Sequence, residues 1–573
     1  MKRYVIYYIV VFLLSEFALM LLTAPLREWK IIELIYGEKG VPKYPLSSEI
    51  QTILYLLPVI YFGVKEYKKF KKKKKSKKKK KVEIKTFTLQ FWTKYKDHLT
   101  LDNPFRGIYI QGGAGSGKSE SFFKPILKQF AEMGMAGILY DFKSPELTSI
   151  AYGYYKENPN IKFAFVDFKD VKNSNRINPI SPKNLTKTAY AFEIAQAFIY
   201  NLMPENIKNQ DFFGRSSISL TAGIIWYFKR NLSHICTLPH VITFILKCPA
   251  ERMIEIISQD NETAGMIASL KEAVDNNAGK QTAGVLGTLK NAVAPLNIKE
   301  VFYLLSGDEV NLNLNSHNNP TMLAIGNDSS LPGTFEPLIS IIITISSKLM
   351  NQKGKKQSAI ILDEAPTLFI PNFEQLPATA RSNRIATIYG AQDFSQLVDK
   401  YGKDKAEVMV SNLGNQFYGR TTNAKTARMI SDIFDKEDRI YSNYSKGTSK
   451  SSEFFSGVTT SHNVSKSVQE RQTVSVRQIK NAKPGQFYGI VAEGNYKEWL
   501  GVELDRVESV EIIPPVRNNH IDLEAVFNDI HKEIDSLING EEVKNNEIGK
   551  EIDIEIKEKI NGDDILDDFF DEL

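Results

Sequence analysis

One glycine-rich stretch constrains this chain more strongly than any other part of its sequence. Residues 112–119 read GGAGSGKS, which is the G-x-x-x-x-G-K-S spacing of a P-loop. Glycines let the backbone turn tightly enough to aim its N–H groups at a chain of phosphates. In such a loop Lys118 reaches the β- and γ-phosphates, and the Ser119 hydroxyl holds Mg²⁺. The predicted nucleotide-binding residues are Gly112, Gly113, Ala114, Gly115, Ser116, Gly117, Lys118 and Ser119.

The residues around this loop fit the prediction. Residues 107–111 are typical of a short buried strand, and residues 119–133 are typical of a helix with one apolar face. A strand, a glycine-rich loop and a helix form the context that a P-loop requires. Further apolar runs, at 138–141 and 163–167, alternate with helical patterns. This alternation predicts an α/β fold with a mainly parallel sheet.

A second motif lies later in the chain, where residues 359–364 read AIILDE. Four apolar residues that end in Asp-Glu form the Walker B pattern. This pattern alone is weak evidence for a nucleotide site, but it becomes strong evidence in a chain that also has a P-loop. The strand is expected to bring Asp363 to the sheet edge where a Mg²⁺-bound phosphate lies. Glu364 is then placed to polarise the attacking water as a general base.

A third apolar segment, residues 385–391, ends at Gln392 and is preceded by two arginines. A glutamine at this position senses the γ-phosphate or orients water, and an amide that caps a helix is the alternative interpretation. Arg381 and Arg384 precede the strand, so they are candidates for an arginine finger that stabilises the transferring phosphoryl group. A surface salt bridge is the alternative for both.

The amino-terminal region has a different organisation. Residues 4–22 and 46–64 are apolar runs of about the length that crosses a bilayer. Residues 65–81 follow with thirteen lysines and one glutamate, a local charge of +12 in a chain whose net charge is +6. The positive-inside rule places this flank in the cytoplasm, with the lysines near anionic headgroups and a short external loop between the spans. A cleaved signal peptide is the alternative for the first span.

The rest of the chain divides by composition. Residues 184–305 carry helix-period segments, which predicts an all-α domain inserted into an α/β domain of residues 82–183 and 306–515. Residues 441–467 are rich in Ser, Thr and Gly, which predicts a mobile loop. Residues 516–573 predict an acidic, disordered tail that either docks a partner or only adds solubility. The two cysteines have no metal-ligand spacing, so we expect buried, reduced thiols.

Together these motifs resemble the type IV secretion coupling proteins of the TraG/TraD family. The resemblance covers roughly residues 1–510 and depends on the order of two spans, GGAGSGKS, YDFKSPEL, RINPI, an all-α insertion, ILDEAP and RSNRIATIYGAQDFSQL. The segment YDFKSPEL departs from the commoner family form DPKGEL but keeps Asp141, Lys143, Glu146 and Leu147. This variant is similar to the mobilisation coupling proteins of the MobC type.

The resemblance implies a RecA-like P-loop motor that uses ATP and Mg²⁺ and assembles as a homohexameric ring around a channel. It implies a multi-pass protein of the bacterial inner membrane with a short periplasmic loop. The implied partners are single-stranded DNA, relaxase and relaxosome proteins, components of the secretion channel and membrane lipids. The family's conserved arginine falls on Arg381, eleven residues before Gln392, which ranks it above Arg384 as a finger that acts in trans.

The implied function is ATP-driven pumping of single-stranded DNA, coupled to a type IV secretion channel. Two alternatives stay open at this point. One is a neighbouring enzyme class, either a double-stranded DNA translocase or a secretion-assembly ATPase. The other is a membrane docking receptor that holds nucleotide without hydrolysing it, which Glu364 disfavours because a receptor needs no base to activate water.

Overall fold

The computed structural model describes residues 87–95, 97–209, 211–276, 279–449, 459–507, 509, 511–517 and 521–541. The two predicted spans, the lysine run and residues 542–573 of the predicted tail lie outside the described residues.

The strands are β1 Leu89–Trp92, β2 His98–Leu101, β3 Ile108–Gln111, β4 Ala136–Asp141, β5 Lys162–Asp167, β6 Thr321–Gly326, β7 Ser358–Leu362, β8 Ile385–Ala391, β9 Asn415–Tyr418, β10 Lys436–Ser449, β11 Thr459–Gln472, β12 Gln486–Ile490 and β13 Glu498–Glu503.

The α-helices fall into three groups along the chain. Those that belong to the first part of the sheet are α1 Lys124–Glu132 and α2 Glu146–Tyr155. Those between β5 and β6 are α3 Thr188–Leu202, α4 Glu205–Lys208, α5 Phe212–Asn231, α6 Leu238–Lys247, α7 Ala250–Ile257, α8 Asn261–Met266, α9 Ala268–Asp275, α10 Gly279–Val293 and α11 Lys299–Leu305. Those that follow are α12 Pro332–Met350, α13 Leu376–Ser382, α14 Phe394–Tyr401, α15 Lys403–Ser411, α16 Ala424–Ile433, α17 Val476–Lys480 and α18 Leu523–Asn539.

Nine of these strands form one sheet in the order β13-β12-β9-β3-β8-β7-β4-β6-β5. The run from β9 to β5 is parallel, whereas β12 and β13 are antiparallel to their neighbours. We call the edge where the parallel strands end the carboxyl edge and the opposite one the amino edge. This mixed, mainly parallel sheet with helices confirms the predicted α/β class.

Helices cover both faces of the sheet, which explains why its central strands are continuously apolar. Every residue of β3, β4, β6, β7 and β8 is buried. Alternate residues of one strand enter two different core clusters, as Ile108 and Tyr109 of β3 do. The cluster around Tyr109 continues without a break into the helices from α3 to α11. The helical region therefore shares its core with one face of the sheet.

Helix α12 contains the described segment that is long and apolar enough to cross a membrane. That segment is Gly333–Met350, and 72% of it is buried inside the fold. Leu338 and Ile342 of this helix belong to the same core cluster as the helical region. We therefore assign α12 to the protein core. Cys236 and Cys248 are buried free thiols, as predicted.

The prediction of a mobile loop at 441–467 is wrong for the described part of that segment. Strands β10 and β11 pair in an antiparallel ribbon whose register runs from Lys436 opposite Gln472 to Ser449 opposite Thr459. Its Ser- and Thr-rich sequence lacks the apolar alternation that identifies a half-buried strand. Backbone hydrogen bonds between two strands do not require that alternation, so composition was misleading here.

The prediction of a disordered tail at 516–573 is also wrong in part, because residues 523–539 form helix α18. The Asp522 side chain caps its first turn by accepting from the Ala525 N–H, and Gly540 ends it with a left-handed φ of 78°. The helix buries Ile530 and Ile534 in the main core. Acidic residues on its other face dominated the composition and concealed this helical spacing.

Candidate nucleotide site

The glycine-rich loop follows β3 at the carboxyl edge and is fixed by backbone hydrogen bonds. The Gly112 N–H donates to the Ala391 carbonyl at 3.1 Å, and the Gly113 N–H donates to the Arg420 carbonyl at 2.9 Å. Ala391 is the last residue of the neighbouring strand β8, and Arg420 follows the end of the other neighbour, β9, by two residues. The loop is therefore held from both sides by the strands that flank β3.

Gly117 shows why the loop needs glycine. Its φ is 92°, a value that favours glycine over every other residue. A Cβ at this position would lie 2.8 Å from the Gly485 nitrogen, and the Gly485 N–H donates to the Ser116 carbonyl at 2.8 Å. The sequence did not reveal this contact, because the Pro484-Gly485 pair signals a turn without indicating what the turn packs against.

Lys118 and Glu364 meet at this edge, and both are buried. The Lys118 Nζ donates to the Gly112 carbonyl at 2.5 Å and lies 3.6 Å from Glu364 Oε1. Burial raises the pKa of Glu364, whereas the Lys118 charge and a hydrogen bond from the Gln392 side chain lower it. The structure thus brings the predicted phosphate-binding lysine and general base together in a buried pair, with the predicted glutamine beside them.

Asp363 follows β7 at the same edge and is only 8% exposed. Burial raises its pKa to about 7, and the negative charges of Glu364 and Asp141 add to this effect. A nearby cation stabilises the charged form of a buried carboxylate, which burial alone disfavours. The predicted metal-binding role of Asp363 suits this environment.

The segment after β8 is rigidly held. Gln392 is half-buried, and the next residue, Asp393, caps helix α14. The Asp393 carboxylate also accepts from the Thr421 hydroxyl at 3.0 Å and from the Thr426 hydroxyl at 2.9 Å. The helix cap is therefore Asp393, so the alternative interpretation of Gln392 as a capping amide is wrong.

The two arginines lie at the opposite edge of the sheet. Arg381 is on α13, Arg384 precedes β8, and both are exposed. Strand β8 contains seven residues and spans about 20 Å, so Arg384, which precedes it, is separated from Gln392, which follows it, by about that length. Within the described part of the chain neither arginine forms an ion pair within 4.0 Å. Burial raises the pKa of Glu493, whereas hydrogen bonds from Arg106 and Asn103 and the positive charges of Arg106 and Arg381 lower it overall.

The remaining loop residues also have defined places. Ala114 and Gly115 are exposed at the tip, and Gly115 has a φ of 72°. The Ser116 hydroxyl is buried and has no hydrogen-bond partner in the described chain. Ser119 is half-buried and opens a π-helical turn, Ser119–Phe123, that leads into α1. Such turns are common at functional sites.

A family comparison covers strands β7, β8 and β9 of this site. Residues 357–484 match the family described as "TraM recognition site of TraD and TraG". The matched range includes Asp363, Glu364, Arg381 and Gln392. This part of the chain is therefore similar to the TraG/TraD family. The resemblance predicted from the motifs is thereby confirmed.

Solved structures of a bacterial conjugative coupling protein share the fold. The unbound form of TrwBdeltaN70 has a TM-score of 0.55 at 14% identity and covers 74% of this chain and 90% of that chain. TrwB in complex with ADP and Mg²⁺ has a TM-score of 0.52 at 14% identity, with 72% and 87% covered. TrwB in complex with the analogue ADPNP has a TM-score of 0.52 at 14% identity, with 71% and 87% covered. No curated protein sequence matches the chain significantly.

Proposed function

We propose that this chain is the ATP-hydrolysing coupling protein of a type IV secretion system. One observation carries the proposal: Lys118, Glu364 and Gln392 arrive from three different strands and meet, mostly buried, at the carboxyl edge. The TraG/TraD match at 357–484 and the fold shared with TrwB support the coupling role. The TrwB complex with ADP and Mg²⁺ supports nucleotide as the ligand.

The residues of the loop fit ATP and Mg²⁺. Two glycines with positive φ form the turn, and the buried Ser116 hydroxyl has no hydrogen-bond partner among the residues that the structure describes. Ser119 and Asp363 would hold Mg²⁺, and Lys118 would hold the terminal phosphates. Bound ATP with Mg²⁺ supplies the phosphoryl group and neutralises part of its charge.

The chain's own residues then have distinct tasks. Lys118 exchanges its contacts with the Gly112 carbonyl and Glu364 for phosphate oxygens. Glu364, released from the lysine, accepts a proton from the attacking water. Gln392 holds the Glu364 carboxylate in place through its hydrogen bond.

The proposal includes assembly as a homohexameric ring at the bacterial inner membrane. Arg381 lies on the helix that precedes β8, whereas the loop of its own chain follows β3 at the carboxyl edge, and this separation supports action on the nucleotide of a neighbouring subunit. Residues 4–22 and 46–64 supply the multi-pass membrane anchor, and the lysines of 65–81 contact anionic lipids. The ring passes single-stranded DNA, delivered by a relaxase, to the secretion channel.

The test is ATP turnover by the full-length protein in detergent, with single-stranded DNA, with double-stranded DNA and without DNA. We expect turnover that single-stranded DNA stimulates, and loss of turnover in Lys118→Ala. Stronger stimulation by double-stranded DNA would indicate a double-stranded DNA translocase. Turnover that neither DNA stimulates would indicate a secretion-assembly ATPase, and nucleotide binding without turnover would indicate a docking receptor.

A further inference from the structure

A second carboxylate lies beside Asp363 at the carboxyl edge. Strands β4 and β7 are parallel neighbours, and Tyr140 is paired with Leu362. The next residues along the two strands, Asp141 and Asp363, are therefore side by side. The Asp363 N–H donates to the Tyr140 carbonyl at 3.2 Å. This hydrogen bond fixes the register at the carboxyl ends of the two strands.

Asp141 is fully buried, and one of its two carboxylate oxygens is unsatisfied. Oδ2 accepts from the Thr148 N–H at the start of α2 at 2.8 Å. Oδ1 has no hydrogen-bond partner among the described residues. Burial raises the pKa of Asp141 to about 6, and the Thr148 N–H and hydroxyl and the Lys143 N–H, all close to the carboxylate, oppose that rise. A buried carboxylate oxygen without a donor is costly, so its retention requires an explanation.

The carboxylates at this edge do not form a larger metal-binding cluster. In the described part of the chain no group of three or more acidic, histidine or cysteine side chains has the spacing to hold a metal ion. Mg²⁺ usually binds one or two carboxylates and keeps several water molecules. A carboxylate next to a Mg²⁺ ligand therefore has a ready donor, which is a metal-bound water.

We propose that Asp141 is a positioning residue that accepts, through Oδ1, a hydrogen bond from a water molecule bound to Mg²⁺ at Ser119 and Asp363. The inference rests on the proposed function, because it requires the Mg²⁺–nucleotide site. Residues that hydrogen-bond to the ligands of a metal ion commonly change its affinity by about 10–100-fold when they are substituted.

Asp167 provides a matched control at the same edge. It is the last residue of β5, is 4% exposed, and burial raises its pKa to about 6. Its Oδ1 accepts from the Lys169 N–H at 3.0 Å, so that oxygen is satisfied. Strand β6 separates β5 from β4, which places Asp167 two strands from Asp141.

The test uses Asp141→Asn in the full-length protein. Asparagine keeps the shape and an oxygen for the Thr148 N–H, but it presents an NH₂ donor where the proposal needs an acceptor. Binding of a fluorescent ADP analogue is titrated at increasing Mg²⁺ and in EDTA. We expect affinity in EDTA within about twofold of wild type and a half-maximal Mg²⁺ concentration raised about 10-fold. Asp167→Asn is expected to change neither value.

Two results would overturn the inference. One is an unchanged Mg²⁺ requirement in a folded Asp141→Asn protein, and the other is equal loss of affinity with and without Mg²⁺, which indicates a structural role only. If Asp141→Asn lowers the melting temperature, Asp141→Ser is used in its place. The serine hydroxyl is too short to reach the metal-bound water, so the same increase in the half-maximal Mg²⁺ concentration is expected. If wild type itself shows no Mg²⁺-dependent binding, the proposed function fails together with this inference.

Discussion

The two edges of the central sheet use charge in opposite ways. At the carboxyl edge Lys118, Asp363 and Glu364 are at most 8% exposed and lie close to one another. At the amino edge Arg381 and Arg384 are exposed and form no ion pair within 4.0 Å in the described chain. Buried charges need partners nearby, whereas an exposed cation is available to another molecule. This difference is the basis of our proposal that each subunit holds the phosphate-binding half of a site and offers the arginine half to a neighbour.

The largest effect is expected at the amino edge. Arg381→Ala should lower kcat for ATP hydrolysis by about 10³-fold, because an arginine finger stabilises charge that develops only in the transition state. Nucleotide affinity should change little, since Arg381 does not belong to the phosphate-binding loop of its own chain. Steady-state turnover and equilibrium binding measure the two quantities. Arg384→Gln is the control, and an equal loss in that variant would argue against a specific role for Arg381.

The base at the carboxyl edge is expected to give the next largest effect. Glu364→Gln should bind nucleotide normally and lower kcat by about 10²-fold, because the amide cannot accept the proton of the water. Single-turnover hydrolysis measures this step directly. Glu374→Gln removes another buried carboxylate, away from the loop, and should leave the rate unchanged. Normal hydrolysis by Glu364→Gln would assign the base elsewhere.

Asp363 allows a test based on stability and pH. Its folded pKa of about 7 exceeds the ordinary value of 3.8, so the folded state loses stability as pH rises from about 4 to 7. In EDTA without nucleotide, Asp363→Asn should raise the free energy of unfolding by on the order of 2 kcal/mol at pH 8 and by little at pH 4. Chemical denaturation checks both values. Asp97→Asn at an exposed position is the control, and equal behaviour of the two variants would contradict the buried site.

The smallest effect concerns Gln392. Gln392→Ala removes a hydrogen bond that lowers the pKa of Glu364, so that pKa should rise. The base works only when it is deprotonated, and the acidic limb of kcat/KM should therefore shift to higher pH. We expect about a tenfold loss of rate near neutral pH, the size of one good hydrogen bond. A loss of rate with an unshifted pH profile would show that Gln392 does not act through the pKa of Glu364.

The buried parts of the fold were predictable from the sequence, and the exposed parts were not. The predicted strand at 385–391 coincides with β8, because burial on both faces leaves a continuous apolar run. The ribbon of β10 and β11 carries no such run, and its hydrogen bonds leave little trace in side-chain chemistry. Helix α18 was concealed because its acidic face outweighed its apolar face in composition.

The same distinction applies to the site. Local motifs predicted the loop, Asp363, Glu364 and Gln392, since each motif lies within a few neighbouring residues. The contact of Gly485 with the loop and the pairing of Asp141 with Asp363 depend on strand order and on long-range packing. No local pattern carries that information, so only the structure could reveal it.

The most direct test of a site shared between subunits is a mixing experiment with two inactive full-length variants. In rings assembled from equal amounts of Lys118→Ala and Arg381→Ala, about one quarter of the interfaces join an intact loop to an intact arginine. Lys118→Ala mixed with Glu364→Gln forms no complete interface and serves as the control. We predict recovery of about a quarter of wild-type ATP turnover in the first mixture and none in the second. No recovery in the first mixture would contradict a site built from opposite edges of two sheets.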